Sequence, residues 1–217
     1  KLKYPTFFTV VALITMLDLF RVDIRRMEYS KGQSFADIFS EREDVYNFIK
    51  QDKSIFRVAD FSVNPANMTA YYLVENVNGY HAAKLRVYQD LMDVANIEGM
   101  EGSTSQLYNP FLWNLLNVKY LIFNRKFDGV EPIYQSQRVA AFVYPNYGML
   151  ERAFFVKKAV VAKPLDILHH LKKGDFNPLD TMFVENQLNV QVTTPDSTSK
   201  VKFIAKQNEY LKLETEA

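Results

Sequence analysis

The polar residues that could do chemistry in this chain gather around one glycine. Gly79 is followed by Tyr80, His81, Lys84 and Tyr88 in the segment GYHAAKLRVY. An imidazole can move protons or bind a ligand, an ammonium can contact a phosphate, and a tyrosine ring can stack on a sugar while its hydroxyl forms a hydrogen bond. We therefore take these four side chains as the candidate ligand-binding residues, although packing or helix capping would equally explain His81.

Charged residues elsewhere offer contacts of the same kind. Arg57, Arg86 and Lys119 could contact a phosphate, or could pair with carboxylates such as Asp60 and Asp90. The sequence leaves both interpretations open.

Catalysis and metal binding find little support in the sequence. A hydrolase that uses His81 with Asp90 or Asp93 is a third alternative, but acid–base work by carboxylates needs burial to separate their pKa values, and no pattern indicates burial here. His169 and His170 are adjacent, so on a helix they project about 100° apart and cannot close on one metal. Cysteine is missing, as are the nucleophile, zincin, Walker and dinucleotide motifs. The sequence predicts no catalytic residue, no metal and no cofactor.

The composition is that of an ordinary folded domain. Of the 217 residues, 48% are hydrophobic and 24% are charged, which suits one domain with a sizeable core. The 26 basic residues are balanced by 25 acidic residues. Because binding to nucleic acid depends on clustered basic charge, we exclude nucleic acid as a partner.

Residues 4–20 form the main break in composition, since this apolar stretch holds a single charge, Asp18. A membrane span needs about 20 apolar residues and tolerates roughly 17. Three interpretations are open: the outer end of a membrane helix, the core of a signal peptide, or a buried helix of a soluble domain. We adopt the first, so that residues 1–27 are an apolar helix at the end of a membrane span and residues 28–217 form a separate α+β domain.

Short helices and strands are predicted around the candidate residues. Gly79 ends an extended run over residues 71–77, and apolar residues at helical spacing then predict a helix over residues 81–96. Ser40 and Glu43 have the spacing of a capping box and predict the start of another helix. Further strands are predicted at residues 56–61, 118–123, 133–135, 139–144 and 154–162, and further helices at residues 110–116 and 164–173.

The last thirty or so residues alternate between apolar and polar types, which is typical of strands with one exposed face. The alternation covers residues 188–193, 201–206 and 211–213 and predicts an antiparallel β-meander. The predicted fold class is therefore α+β, with mixed or antiparallel sheets, several short helices, an N-terminal apolar helix and a C-terminal meander.

Four segments, taken in order, are similar to segments of one protein family. They are FRVADFS at residues 56–62, GYHAAKLRVYQDL at residues 79–91, LLNVKYLIFN at residues 115–124 and ERAFFVKKAVVA at residues 151–162. In this order and at these separations, the chain resembles the extracytoplasmic C-terminal region of YfhO-type bacterial multi-spanning membrane proteins.

The resemblance implies a location and a role. YfhO-type proteins resemble glycosyltransferases that use lipid-linked sugars, so we expect the cell membrane as the location, with this domain on the extracytoplasmic side. The catalytic carboxylate would be carried by a membrane loop that this chain does not contain. The domain would then be non-catalytic and would support recognition of a lipid-linked sugar or an envelope glycan. The alternative is a free-standing soluble module that binds carbohydrate or protein, with residues 4–20 as a core helix.

Overall fold

The computed structural model describes residues 4–26, 34–62, 67–103, 105–196, 198–207 and 210–216. The chain divides into two compact units, Lys1–Ser40 and Glu41–Ala217. The predicted boundary between residues 27 and 28 lies outside the described residues.

The first unit contains two helices, α1 (Tyr4–Arg26) and α2 (Phe35–Ser40). In α1 the apolar side chains are spread around the whole circumference, and the large ones from Tyr4 to Ile24 are exposed. Judged by length and hydropathy, none of the helices in the described part of the chain could cross a membrane.

A four-stranded mixed sheet forms the centre of the second unit. Its strands lie in the order β1-β2-β4-β3, with β1 parallel to β2 and the other neighbours antiparallel. The register sets Asp60 beside Ile122, and Ile122 beside Val143. Val58, Ile122 and Val143 are fully buried because apolar side chains of neighbouring strands meet on one face. The strands are β1 (Arg57–Asp60), β2 (Val118–Phe123), β3 (Tyr134–Gln135) and β4 (Phe142–Pro145).

In the described part of the second unit, five helices accompany this sheet. The helix before β1 buries Val45, Tyr46 and Ile49, which share one helical face. A second group of buried side chains, Met92 and Leu112 among them, lies between the helices that follow β1 and the last helix. The five are α3 (Glu43–Gln51), α4 (Met68–Tyr71), α5 (Arg86–Val94), α6 (Pro110–Leu115) and α7 (Pro164–Lys173).

Two further pairs of strands complete the second unit. β5 (Lys158–Val161) and β6 (Thr181–Val184) pair in parallel across α7, and β7 (Lys200–Lys206) and β8 (Leu211–Glu216) form an antiparallel hairpin. The predicted α+β class, with mixed and antiparallel sheets, short helices and an N-terminal helix, is confirmed. The antiparallel C-terminal element consists of two strands, since residues 188–193 are not in a strand.

Several local predictions are confirmed to within a residue. Residues 118–123 are strand β2, and α6 begins at Pro110 with Asn109 as its cap. The Asn109 Oδ1 atom accepts hydrogen bonds from the backbone N–H groups of Phe111 at 2.9 Å and Leu112 at 3.4 Å. Helix α7 ends at Gly174, whose φ of 61° is left-handed, as expected for a helix stop.

The predicted strand at residues 71–77 is wrong. Helix α4 extends to Tyr71, and Leu73 then takes a φ of 57°, which breaks an extended run. Only a single bridge, from Asn76 to Val58, joins this segment to β1. The chain therefore passes the sheet edge as an irregular segment that carries Asn76, Val77 and Asn78.

The predicted capping box at Ser40 is also wrong, because Ser40 is the last residue of α2 and its hydroxyl donates to the Asp37 carbonyl at 2.9 Å. The reciprocal box lies at the start of α2. The Ser34 N–H donates to Asp37 Oδ2 at 3.0 Å, and the Asp37 N–H donates to Ser34 Oγ at 3.2 Å. Helix α3 begins at Glu43 with Arg42 as its N-cap residue and has no side-chain cap.

Candidate functional site

A cleft of about 590 Å³ opens beside Gly79 in the second unit, and we call it the Gly79 cleft. All four sequence-predicted ligand residues line it: Tyr80, His81, Lys84 and Tyr88. The other polar lining residues are Arg57 from the start of β1 and three asparagines, Asn67, Asn76 and Asn78.

The loop that carries Tyr80 and His81 is fixed by side-chain amides rather than by helical hydrogen bonds. Asn67 Nδ2 donates to the Tyr80 carbonyl at 2.6 Å, and the Tyr80 N–H donates to Asn67 Oδ1 at 2.9 Å. Gly79 has a φ of 153° and donates its N–H to the Ser105 carbonyl at 2.8 Å. The loop is therefore held from both sides, in a shape that keeps the Tyr80 ring 55% exposed.

Helix α5 starts at Arg86, so the predicted start at residue 81 is wrong. The reason is local competition, because His81 Nδ1 accepts the Ala83 N–H at 3.0 Å and Leu85 is extended, with a ψ of 130°. In the neutral imidazole this bond places the ring proton on Nε2. His81, which is exposed, and Lys84, which is half-buried, thus lie on the segment that leads into the helix, instead of inside it.

Tyr88 forms the inner wall of the cleft. Its hydroxyl donates to the Val77 carbonyl, and burial raises the pKa of the phenol above its usual value. Tyr88 is therefore a neutral donor at physiological pH, and it satisfies the Val77 carbonyl of the irregular segment.

Positive charge dominates the cleft. Among the described residues that line it, Arg57 and Lys84 are cationic and none is acidic. Burial lowers the pKa of the Lys84 ammonium, although the nearby Asp93 carboxylate acts in the opposite direction. Burial also lowers the pKa of the Arg57 guanidinium. Partial burial of a cation favours pairing with an anion. The Arg57 guanidinium already contacts Glu75, with Nε at 3.6 Å, and donates from Nη1 to the Leu116 carbonyl at 3.0 Å.

A second group of cations surrounds Glu75, immediately before the lining segment. The Glu75 carboxylate meets Arg152 Nη2 at 2.7 Å, Arg57 Nε at 3.6 Å and also the Lys206 ammonium of β7. Burial would raise the pKa of Glu75, but its bonds to Lys206 and Arg152 outweigh burial and hold that pKa below its usual value. One carboxylate thus faces three cations, and of these four residues Arg57 also lines the Gly79 cleft.

Behind the cleft lies a buried network centred on Asp60. Asp60 Oδ2 accepts from the Tyr46 hydroxyl at 2.8 Å, and Oδ1 accepts from the Ser62 hydroxyl at 2.7 Å. Burial raises the pKa of the Asp60 carboxyl. The Asp60 backbone accepts from Asn78 Nδ2 at 3.1 Å and donates to Asn76 Oδ1 at 3.2 Å. The network therefore supports the two asparagines of the cleft wall.

The other two cations considered as phosphate contacts pair with carboxylates and lie outside the Gly79 cleft. Arg86 Nε pairs with Asp90 Oδ1 at 2.7 Å, and Lys119 Nζ pairs with Asp52 Oδ2 at 2.5 Å. Neither Arg86 nor Lys119 lines the Gly79 cleft. Of the four cations proposed from the sequence, the structure brings Arg57 and Lys84 together.

The arrangement does not resemble a hydrolytic site. Asp93 accepts from Gln89 Nε2 at 2.6 Å, Asp90 is paired with Arg86, and His81 Nδ1 is occupied by a backbone N–H. In the described part of the chain, no group of three or more acidic, histidine or cysteine residues could hold a metal ion.

The asparagines of the cleft were not identified from the sequence. A usable signal was present, because Asn76 and Asn78 precede Gly79 within three residues, and asparagine before glycine is typical of irregular, hydrogen-bonded turns. Tyr80 and Tyr88 line the cleft, whereas Tyr72, on the segment before Gly79, is buried and stacks on Tyr46 with ring centroids 4.4 Å apart.

Comparison with protein-family models, with curated proteins and with solved structures gave no match.

Proposed function

We propose that the Gly79 cleft binds an anionic, hydroxyl-rich ligand of the sugar-phosphate class. The observation that carries this proposal is the lining: two cations, an exposed tyrosine ring and three amide side chains, with no acidic residue among the described lining residues. Lys84 and Arg57 suit a phosphate, and the Tyr80 ring suits the apolar face of a sugar. Asn76 Nδ2, a buried amide donor that meets no acceptor among the described residues, suits a hydroxyl.

In the same proposal the chain is a non-catalytic domain of a YfhO-like membrane protein. It acts on the extracytoplasmic side of the cell membrane and supports glycosyl transfer from a lipid-linked sugar to a cell-envelope polymer. Two features support this role: the resemblance of four segments to that family, and helix α1, whose exposed apolar side chains suit contact with lipid. The recognition surface is the Gly79 cleft.

Titration of the purified chain with glucose 1-phosphate tests the binding proposal. We expect binding that Lys84→Ala weakens about tenfold, because a charge-assisted hydrogen bond is lost. Lys212→Ala is the matched control, since Lys212 is an exposed lysine of β8 that does not line the cleft. The proposal is wrong if the wild-type chain does not bind this ligand, or if both alanine variants bind it as the wild type does.

The wider role is tested in cells that carry the intact membrane protein. His81→Ala and Lys84→Ala should each reduce envelope glycosylation while protein abundance stays normal. The purified chain itself should neither hydrolyse nor transfer sugar. Normal glycosylation by both variants, or turnover by the purified chain, would contradict the assignment of an accessory domain.

A further inference from the structure

The outer strand of the C-terminal hairpin has a free edge. β8 pairs with β7 on one side, and no other strand in the described part of the chain pairs with β8. Every residue of β8 is exposed, whereas alternate residues of β7 are half-buried and Lys206 of β7 binds Glu75. β7 is therefore the inner strand, and β8 presents unpaired backbone N–H and C=O groups to solvent.

A further strand on this edge would stabilise the hairpin. A two-stranded hairpin by itself is marginally stable in water, and a free edge is a template for pairing. Two leucines of β8 are also open to solvent, Leu211 at 54% and Leu213 at 42% exposure. Leu213 lies opposite Phe203, so these leucines continue the apolar face of the hairpin. A strand beside β8 would extend this face and satisfy the free backbone groups.

The charges along β8 are complementary to a second copy of β8. Lys212 and Glu214 flank Leu213 and project from the opposite face of the strand. Two copies of β8 can run antiparallel about a two-fold axis that is perpendicular to the sheet at Leu213. Lys212 of each copy then lies opposite Glu214 of the other, and Leu211 lies opposite Thr215.

Neighbouring registers lack this complementarity. An axis at Lys212 would place Lys212 opposite Lys212, and an axis at Glu214 would place Glu214 opposite Glu214. Within the hairpin, Lys212 lies opposite Ala205, so β7 supplies no carboxylate across from it. Glu214 lies opposite Lys202. In the register centred on Leu213, each Glu214 would therefore lie between two lysines of opposite charge.

We infer that β8 is a self-association surface, through which two copies of this chain pair their β8 strands antiparallel about Leu213. The two hairpins then form one continuous four-stranded sheet with an apolar face and a charged face. Charged residues usually protect an edge strand from pairing, but the charges of β8 alternate in sign and favour its own copy. None of the β8 residues lines the Gly79 cleft, so this contact and the proposed ligand site are tested separately.

Single cysteines test the contact on the full chain, because the chain has no cysteine of its own. Leu213→Cys would bring two thiols together on the two-fold axis. Ile204→Cys is the matched control, since Ile204 lies on β7 and is 44% exposed. Under mild oxidation we expect Leu213→Cys to form a covalent dimer at least about tenfold faster, because pairing raises the local thiol concentration. Association through α1 would affect both variants alike.

Charge reversals test the register. In the Leu213→Cys background, Lys212→Glu and Glu214→Lys should each slow cross-linking about tenfold, because each variant places like charges opposite each other at both contacts. In a one-to-one mixture, cross-linking between the two variants should be as fast as with Leu213→Cys alone, since opposite charges face each other again. Such recovery also shows that both variants are folded.

Two results would overturn the inference. Equal rates for Leu213→Cys and Ile204→Cys would show that β8 does not pair with β8, which is the result expected if its edge binds a strand of a different protein. Fast cross-linking of Leu213→Cys that the charge reversals leave unchanged, or that the mixture does not restore, would exclude the register centred on Leu213 and the charge argument with it.

Discussion

The contact between Tyr46 and Asp60 behind the cleft offers a sharp test of the buried network. The Tyr46 hydroxyl donates to Asp60 Oδ2 at 2.8 Å, and the two residues are 0% and 1% exposed. Tyr46→Phe removes this one hydroxyl and keeps the ring that stacks on Tyr72. The variant therefore isolates a single hydrogen bond to a buried carboxyl.

The expected loss follows from burial. A hydrogen bond to a charged group contributes about 1.5–3 kcal/mol, and water cannot replace the hydroxyl at a site with no exposure. We expect the free energy of unfolding to fall by about 2–3 kcal/mol. Tyr120→Phe is the matched control: its hydroxyl also donates to a carboxylate, Asp52 Oδ2 at 2.7 Å, but the Asp52 side chain is 19% exposed and bonds Lys119 as well. That variant should lose less than about 1 kcal/mol.

The loss should also depend on pH. Burial raises the pKa of Asp60, while its hydrogen bonds to Ser62 and Tyr46 lower it, so removal of the Tyr46 hydroxyl raises the pKa further. A carboxyl whose pKa is raised in the folded state stabilises the fold below the unfolded pKa, and this stability is lost as pH rises through the folded pKa. Tyr46→Phe should therefore cost more near about pH 7 than near about pH 4.

Urea unfolding of the wild type and both phenylalanine variants, measured at these two pH values, gives the required numbers. Because the Asp60 backbone bonds Asn76 and Asn78, we also expect Tyr46→Phe to weaken glucose 1-phosphate binding in the Gly79 cleft. Equal losses of stability in Tyr46→Phe and Tyr120→Phe, or a loss that does not grow with pH, would refute this account of Asp60.

Two further predictions concern a helix stop and an ion pair. Gly174→Ala should lower the free energy of unfolding by about 2–4 kcal/mol, because the new Cβ would lie 2.9 Å from Phe111 ring carbons at a φ of +61°. Gly129→Ala is the control, because Gly129 has a φ of +75° and no atom lies within 4 Å of its added Cβ, so this variant should lose only about 1 kcal/mol. If urea unfolding gives similar losses for Gly174→Ala and Gly129→Ala, the contact with Phe111 is not the cause. Burial would raise the pKa of Asp52, but hydrogen bonds from Lys119 and its other partners outweigh burial and hold that pKa well below its usual value. A carboxyl whose pKa is lowered in the folded state stabilises the fold above its unfolded pKa of about 3.9, and this stabilisation is lost in acid. Asp52→Asn should therefore lower the melting temperature at neutral pH. An equal fall in melting temperature near about pH 2 would contradict this.

Part of the site could be predicted because its residues are neighbours in the sequence. Tyr80, His81, Lys84 and Tyr88 follow one glycine, so any fold that turns at Gly79 brings them to one region. The same short range explains why the cap at Asn109, the stop at Gly174 and strand β2 were predicted correctly: each depends on residues within one turn or on simple alternation.

The start of α5 and the path of residues 71–78 could not be predicted in this way. Propensity favours a helix from residue 81, but two contacts compete with it. His81 Nδ1 takes the Ala83 N–H, and Asn67, thirteen residues before Tyr80, takes both backbone groups of Tyr80. Sequence patterns indicate contacts between residues a few positions apart, so they do not predict a hydrogen bond from an amide thirteen residues away.

By itself, then, the sequence determined the α+β class and placed four polar residues after Gly79 in one region of the chain. Only the tertiary structure decided what surrounds them. Parallel pairing of β1 with β2 joins segments about sixty residues apart and brings Arg57 to the cleft, and packing of α7 against α5 creates an apolar groove beside Tyr88. The physical reason is that contacts between distant segments depend on burial and charge across the whole fold. Because the position of each segment depends on the positions of the others, such contacts leave no local pattern in the sequence.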